Sequence, residues 1–210
     1  MVTVISPTDQ RVILAGVSWT TYIRILADVG DSHAVRMAFD RGKLEIMAPS
    51  FAHERPAHLL GQIVEILAEI RQMDLLGAGS TTFKREDVER GFEPDASFYL
   101  PHAAAVRGNA EIDLTRDLPP DLIIEIDLTH PSLDKFPIDA ALGIPEVWRY
   151  AEEQLTIYRR TADGYGGVAT SVVLSGVTGQ QLQQLVATGY ELSRPAWLRQ
   201  VRAWAEGLQH

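Results

Sequence analysis

Residues 121–127 read Asp-Leu-Ile-Ile-Glu-Ile-Asp and form the most informative stretch of the sequence. Its apolar, mostly β-branched residues predict a buried central strand over residues 122–128. Glu125 and Asp127 interrupt that apolar run. A buried carboxylate is costly to ionise unless it is paired, hydrogen-bonded or bound to a metal. The stretch therefore predicts a core strand whose acids have a functional reason to be there.

A second stretch, residues 93–100, reads Glu-Pro-Asp-Ala-Ser-Phe-Tyr-Leu and places Asp95 at the entry of another predicted strand. Glu125 and Asp127 are two residues apart and so share one face of their strand, while the side chain of Ile126 points to the other. If the two strands are neighbours, Asp95 and Glu125 converge, and the backbone carbonyl of Ile126 can join them. Oxygen ligands of this kind suit magnesium or manganese.

A metal at this point has a specific chemistry. A bound divalent cation lowers the pKa of water and offsets charge on a phosphodiester transition state. Lys135, eight residues after Asp127, is expected to orient the attacking water or stabilise the developing oxyanion. Without metal, its ammonium is expected to be held by Glu125 or Asp127. Each residue alone has a simpler explanation, an acid on a solvated strand face or a lysine at a helix start, so the combination carries the prediction.

Composition limits the remaining options. The 210 residues fit one domain, residues 1–210, and the absence of cysteine excludes disulfides, thiolate zinc sites and a cysteine nucleophile. The net charge of −9 counts against tight non-specific DNA binding but allows a local basic groove. No apolar stretch is long enough to span a membrane and no signal pattern opens the chain. We therefore expect a cytoplasmic protein without membrane contact.

The order of predicted elements indicates an α/β (α+β) fold, with a mixed β-sheet flanked by helices. Residues 1–10 read as an irregular lead-in. The predicted elements are a helix over 19–29, a hairpin of strands 35–39 and 44–47, an amphipathic helix over about 55–73, strands 80–84, 94–100 and 122–128, a short helix from about 134 to 142, strands 147–150, 154–160 and 168–174, and helices 182–187 and 195–208.

The ordered motifs resemble the Uma-two family, restriction endonuclease-like proteins of the PD-(D/E)xK nuclease superfamily. The motifs are Glu-Pro-Asp at 93–95, Pro-Asp-Leu-Ile-Ile-Glu at 120–125, Asp-Lys at 134–135 and Gly-Ile-Pro-Glu-Val-Trp at 143–148. The likeness runs from about residue 40 to 160. It implies a nuclease-like core over about 35–160 with N- and C-terminal helical additions, magnesium as cofactor and DNA as substrate.

The resemblance also implies roles for single residues. Asp95 matches the motif aspartate and Glu125 the second acid. The superfamily pattern has a lysine two residues after the second acid, where this chain has Asp127, which by its position is also a candidate catalytic residue. The family's downstream Asp-Lys pair implies that Lys135 supplies the missing cation. If it does not, the site is expected to bind metal but cleave poorly.

An acid from the first core helix often completes such a site, and Glu54 is the candidate here. The apolar stripe of the 55–73 helix places Glu65 and Glu69 on its solvated face. His53 is expected either to cap that helix or to lie beside the site.

Three functions compete. The leading hypothesis is a magnesium-dependent DNA endonuclease, acting as a homodimer because enzymes that cut two strands often pair. The second is a non-catalytic interaction or assembly module that keeps the nuclease fold, favoured by the acidic net charge and by Asp127. The third, weaker hypothesis is a two-carboxylate glycoside hydrolase, which lacks a recognisable aromatic platform for sugar binding.

Overall fold

A computed structural model describes residues 9–30, 34–128 and 133–208. These ranges contain eleven strands and six helices. In chain order they are β1 Gln10–Ala15, α1 Trp19–Val29, β2 Arg36–Asp40, β3 Lys43–Ala48, α2 Phe51–Ile70, β4 Leu76–Gly77, β5 Phe83–Arg85, β6 Arg90–Phe92, β7 Ala96–Tyr99, α3 Ala103–Val106, β8 Leu122–Asp127, α4 Phe136–Leu142, β9 Glu146–Ala151, β10 Gln154–Thr161, β11 Gly164–Val168, α5 Gly179–Glu191 and α6 Arg194–Gly207.

The strands form two sheets. The first has five strands in the order β1-β3-β2-β6-β5, and the second has six in the order β11-β10-β9-β8-β7-β4. In the six-stranded sheet β8 and β9 run parallel, whereas the other neighbours pair antiparallel. The predicted mixed sheet is confirmed, and β8 lies inside it as the predicted central strand.

Apolar side chains on both faces of the six-stranded sheet hold the layers together. One face packs against α2, α5 and α6, and its core includes Leu60, Ile63, Leu67, Trp148 and Trp197. The other face packs against α4 and the five-stranded sheet through a core that includes Phe83, Phe92, Ile123, Ile138 and Val147. Helix α1 covers the far side of the five-stranded sheet. Each fully buried side chain of this size contributes about 1.5–3 kcal/mol.

The alternation along β8 sets the position of its acids. Leu122, Ile124 and Ile126 belong to the core beneath α2, whereas Ile123 belongs to the core on the opposite face. Glu125 and Asp127 therefore share the face of Ile123, as predicted. Strand β7 pairs with β8 antiparallel, with Ala96 opposite Ile124, so the assumption that the two strands are neighbours is confirmed.

Helix α2 begins earlier than predicted. It starts at Phe51 rather than at residue 55, because the Ser50 hydroxyl caps it by accepting a hydrogen bond from the His53 amide at 3.3 Å. Pro56 consequently lies inside the helix instead of marking its first turn. The earlier start places His53 and Glu54 in the first turn, and it brings His53 next to Asp95 at the start of β7.

Two predictions about strands are wrong. Strand β11 covers Gly164–Val168 rather than 168–174. The reason is that β10 and β11 form a hairpin with a two-residue turn, so Gly164 already pairs with Thr161. The lead-in prediction is wrong for its last two residues, since Asp9 is buried and Gln10 begins β1; residues 1–8 lie outside the described ranges. Within those ranges, no helix is both long and apolar enough to cross a bilayer.

Candidate functional site

Asp95 lies just before β7, and its side chain is completely buried. Its Oδ1 is 2.8 Å from Nε2 of His53 and 3.2 Å from Nε of Arg36, and its Oδ2 accepts the backbone N–H of Ile126 at 2.7 Å. Burial alone would raise the pKa of this carboxyl. The hydrogen bond and charge of His53, followed by the charges of Lys135 and Arg36, outweigh burial and lower the pKa, so Asp95 is ionised.

His53 joins Asp95 to the N-terminal strand. Its Nδ1 is 2.9 Å from Oδ2 of Asp9, whose Oδ1 accepts the Ser50 N–H at 2.9 Å. Both ring nitrogens face carboxylate oxygens, so both donate, which is the imidazolium form. Burial alone would lower the pKa of His53, but the contacts with Asp95 and then Asp9 outweigh it and raise the pKa. The result is a buried Asp–His⁺–Asp chain.

Glu125 and Lys135 form a buried ion pair beside Asp95. Extending the β7–β8 register by one step places Asp95 opposite Glu125. The Lys135 ammonium donates to Oε2 of Glu125, as predicted from the sequence. Oε1 of Glu125 is buried and has no hydrogen-bond partner among the described residues. Burial first, and the charge of Asp95 second, raise the pKa of Glu125 to about 7 against the opposing effect of Lys135.

Arginines neutralise Asp127. Its Oδ2 accepts a hydrogen bond from Nη2 of Arg149, and its Oδ1 lies 3.9 Å from Nη2 of Arg11. Arg11 is in turn 3.6 Å from Asp9 and 3.7 Å from Glu45. Asp127 therefore lies between two arginines, on the same face as Glu125.

Glu54 is connected to Asp95 through Arg36. Its Oε1 accepts a hydrogen bond from Nη1 of Arg36 at 2.7 Å, and Nε of the same arginine is 3.2 Å from Asp95. The Glu54 side chain is 48% exposed. Glu54 thus approaches the site from the start of α2, as predicted, but contacts the arginine and not the aspartate. Glu65 and Glu69 are exposed, as predicted.

Asp139 belongs to the site although the sequence reasoning missed it. It lies in the first turn of α4, is 1% exposed, and neither carboxyl oxygen has a hydrogen-bond partner in the described part of the chain. Burial first, and the charge of Glu125 second, raise its pKa well above the usual range. The available signal was its spacing, because Asp139 is four residues after Lys135 and so lies one turn further along the same helix face.

A pocket opens on the Glu125 side of the sheet. Besides Ile126, Leu133, Phe136 and Val147, it is lined by the three acids and three cations of this region, namely Glu125, Asp127, Asp139, Arg11, Lys135 and Arg149. Asp95 and Glu54 instead line a separate groove beside α2. The two predicted metal ligands are thus on adjacent strands, but only Glu125 lines the first pocket, and the Asp95 carboxyl is completely buried.

The oxygen atoms available as ligands determine whether a metal ion fits this arrangement. Among the described residues, no three His, Asp or Glu side chains are grouped to hold a metal ion on their own. Magnesium, however, is usually bound by one or two carboxylates and completes its shell with water and substrate phosphates. The unpartnered Oε1 of Glu125 offers one such ligand, and Asp95 lies on the adjacent strand. The residues present fit a two-carboxylate cation site, and the ligand set of Asp95, Glu125 and the Ile126 carbonyl stays a prediction.

Other members of the network were also missed from the sequence. Asp9 and Arg11 fell in or beside the presumed lead-in, and Arg36 was read only as part of a hairpin strand. Arg149 had a usable signal, because a parallel neighbour of β8 that carries Val147 inward must carry Arg149 on the same face.

Comparisons with known proteins place the chain in context. A family model described as "Uma2: Putative restriction endonuclease" matches residues 19–194. A similar solved structure is "a putative nuclease belonging to DUF820" from Anabaena variabilis, with 14% sequence identity and a TM-score of 0.47, covering 90% of this chain and 99% of that chain. No curated protein matches the sequence. The family match includes Asp95, Glu125 and Lys135, and begins after Asp9 and Arg11.

Proposed function

The chain belongs to the Uma2 family, and from that premise we propose that it is a magnesium- or manganese-dependent DNA endonuclease that hydrolyses phosphodiester bonds. The observation that carries the proposal is the buried cluster of Asp95, Glu125 and Lys135 where β7 and β8 meet. Such a cluster of acids beside a buried ammonium costs stability, and it has no role in packing the apolar cores. A catalytic role accounts for its presence.

The cluster divides the chemistry among its members. Asp95, Glu125 and the Ile126 carbonyl would hold the cation, which when bound lowers the pKa of water and neutralises charge on the phosphate. The Lys135 ammonium would orient the attacking water and stabilise the developing charge on a phosphoryl oxygen. Its pKa is raised because the charges of Glu125 and Asp95 outweigh burial, so it stays protonated.

The surrounding residues position the cluster. The His53 imidazolium, fixed by Asp9, holds the Asp95 carboxylate in one orientation. Arg36 links Asp95 to Glu54, which we propose as an outer acid of the site rather than a direct ligand. Asp127, predicted as part of the catalytic set, acts in this proposal as the partner of an arginine.

Lysine replacement tests the proposal. We expect wild-type protein to cleave supercoiled plasmid or short duplex DNA with Mg²⁺ or Mn²⁺ and not with EDTA, and Lys135→Ala to cleave at least about 100-fold more slowly. Gel electrophoresis of the products measures the rates. Lys43→Ala is the matched control, because Lys43 is an exposed lysine of the β2–β3 hairpin, and it should cleave like wild type. Equal rates for Lys135→Ala and wild type would remove Lys135 from the mechanism.

The alternative is a non-catalytic module with a nuclease fold. One observation favours it: Lys135 and His53 already satisfy one oxygen each of Glu125 and Asp95, so the network is neutralised without metal. Thermal unfolding with and without Mn²⁺ separates the two functions, since a metal that binds the folded state raises the melting temperature. No stabilisation and no cleavage by wild type would favour the module.

The endonuclease proposal also includes a homodimer. The molecular mass of the protein in solution tests this part of the proposal.

A further inference from the structure

The neighbour of β8 brings an arginine into the pocket. Strands β8 and β9 pair in parallel, with Ile123 opposite Val147 and Glu125 opposite Arg149. Ile123 and Val147 belong to the same core, so the side chains at the next alternate positions, Glu125 and Arg149, also share a face. Arg149 is therefore beside the proposed metal ligand because of the register.

Two contacts fix the Arg149 guanidinium. Its Nη2 donates to Oδ2 of Asp127, and its Cζ lies 5.4 Å from the centre of the Phe136 ring. Asp127 is the only described residue to which it hydrogen-bonds, and its side chain is 33% exposed, so donors remain free on a group that is held in place.

The other cations of the pocket are more fully engaged. Arg11 lies within 4 Å of three carboxylates, those of Asp9, Glu45 and Asp127, and its side chain is only 11% exposed. Lys135 is held by Glu125. Arg149 is thus the most exposed cation of this pocket among the residues described, with a side chain 33% exposed against 18% for Lys135 and 11% for Arg11, so its donors are the most accessible to a ligand.

From this geometry we infer that Arg149 binds a backbone phosphate of the nucleic acid substrate and that Asp127 is its positioning residue. A guanidinium offers donors in a fork that matches two oxygens of a phosphodiester, and a carboxylate on one edge leaves the other edge open. The inference rests on the proposed nuclease function for the identity of the ligand. It also gives Asp127 a role where the superfamily pattern has a lysine: it brings a cation to the site from the adjacent strand.

Binding without cleavage tests the inference. A short fluorescein-labelled DNA duplex is titrated with protein in EDTA, with fluorescence anisotropy as readout, over a series of salt concentrations. We expect Arg149→Ala to weaken binding on the order of tenfold and to reduce the slope of log affinity against log salt by about one. Arg149→Lys should keep part of the affinity. Arg159→Ala, which removes an exposed arginine on β10, should change neither quantity comparably.

The role of Asp127 needs a readout that simple destabilisation does not move. Asp127→Asn should raise KM with little change in kcat, and in the Arg149→Ala background it should add no further effect, because it acts through the arginine. Thermal unfolding of every variant establishes that it is folded. An additive effect of Asp127→Asn would overturn its positioning role.

The outcomes separate this inference from the proposed function. If wild type binds DNA but never cleaves it, and Arg149→Ala binds more weakly, the phosphate site stands and the endonuclease proposal fails. If wild type cleaves and Arg149→Ala binds and cleaves equally well, the inference fails and the endonuclease stands. If wild type neither binds nor cleaves DNA, both are wrong.

Discussion

Glu125→Gln is expected to reduce metal-dependent cleavage at least about 100-fold, because it removes a negative ligand from the proposed cation site. Gln keeps the shape of the side chain but replaces the unpartnered buried carboxylate oxygen with part of a neutral amide. We also expect Mn²⁺ to bind about tenfold more weakly, as measured by calorimetry, to this variant and to Asp95→Asn. Unchanged affinity in both variants would exclude the predicted site.

A stability control must accompany this result. In Glu125→Gln the buried Lys135 faces a neutral amide in place of a carboxylate, and the cost of an unpaired buried ammonium opposes the stability gained by removing a carboxyl group whose pKa is raised to about 7. The double variant Glu125→Gln, Lys135→Met removes both members of the pair and should be more stable than Glu125→Gln. It should remain inactive. Recovery of stability without recovery of cleavage distinguishes a chemical role from a folding defect.

Stability in EDTA is expected to fall by at least about 2 kcal/mol between pH 5 and pH 8. Glu125, whose pKa is raised from 4.5 to about 7, keeps its proton in the folded state when the unfolded chain has lost it, so each pH unit between about 4.5 and 7 lowers the free energy of unfolding. Asp139, whose pKa is also raised, acts in the same direction. The raised pKa of His53 stabilises the fold below pH 6.5, and this contribution is lost as pH rises through its folded pKa.

Two aspartates set the acid limit of this profile. The lowered pKa values of Asp9 and Asp95 give stability that is present above pH 3.8 and is lost on acidification below it. We therefore expect a maximum near pH 5, measured as urea unfolding free energy from pH 3 to 8. Glu125→Gln should make the decline of the unfolding free energy above pH 5 shallower, by close to the slope that one titrating proton contributes. Stability that rises from pH 5 to 8 would contradict the assigned protonation states.

Much of the fold was predictable because its apolar patterns are strong. The alternation in β8 and the stripe of α2 require burial on defined faces, and burial dominates folding energetics. Strand β1 was missed although Val12, Ile13 and Leu14 form a short apolar run typical of a strand; in the structure these side chains are 55%, 45% and 41% exposed.

The site was predictable only in part. An acid in a predicted core strand indicates a functional role because burying a carboxylate is costly, and this is why Asp95 and Glu125 could be chosen from the sequence. Their partners come from distant positions in sequence, as with Asp9 beside His53 and Arg11 beside Asp127. Such pairings depend on how the two sheets meet, and charge alone does not specify which arginine or aspartate is the partner.

The N-terminal strand has a practical consequence for anyone expressing this protein. The family match begins at residue 19, so a chain cut to that boundary would lack both Asp9 and Arg11. His53 would then lose one of its two acceptors, and Glu45 would lose its arginine. Trimming to the matched boundary would therefore leave the reacting residues in the chain but remove part of the scaffold that holds them.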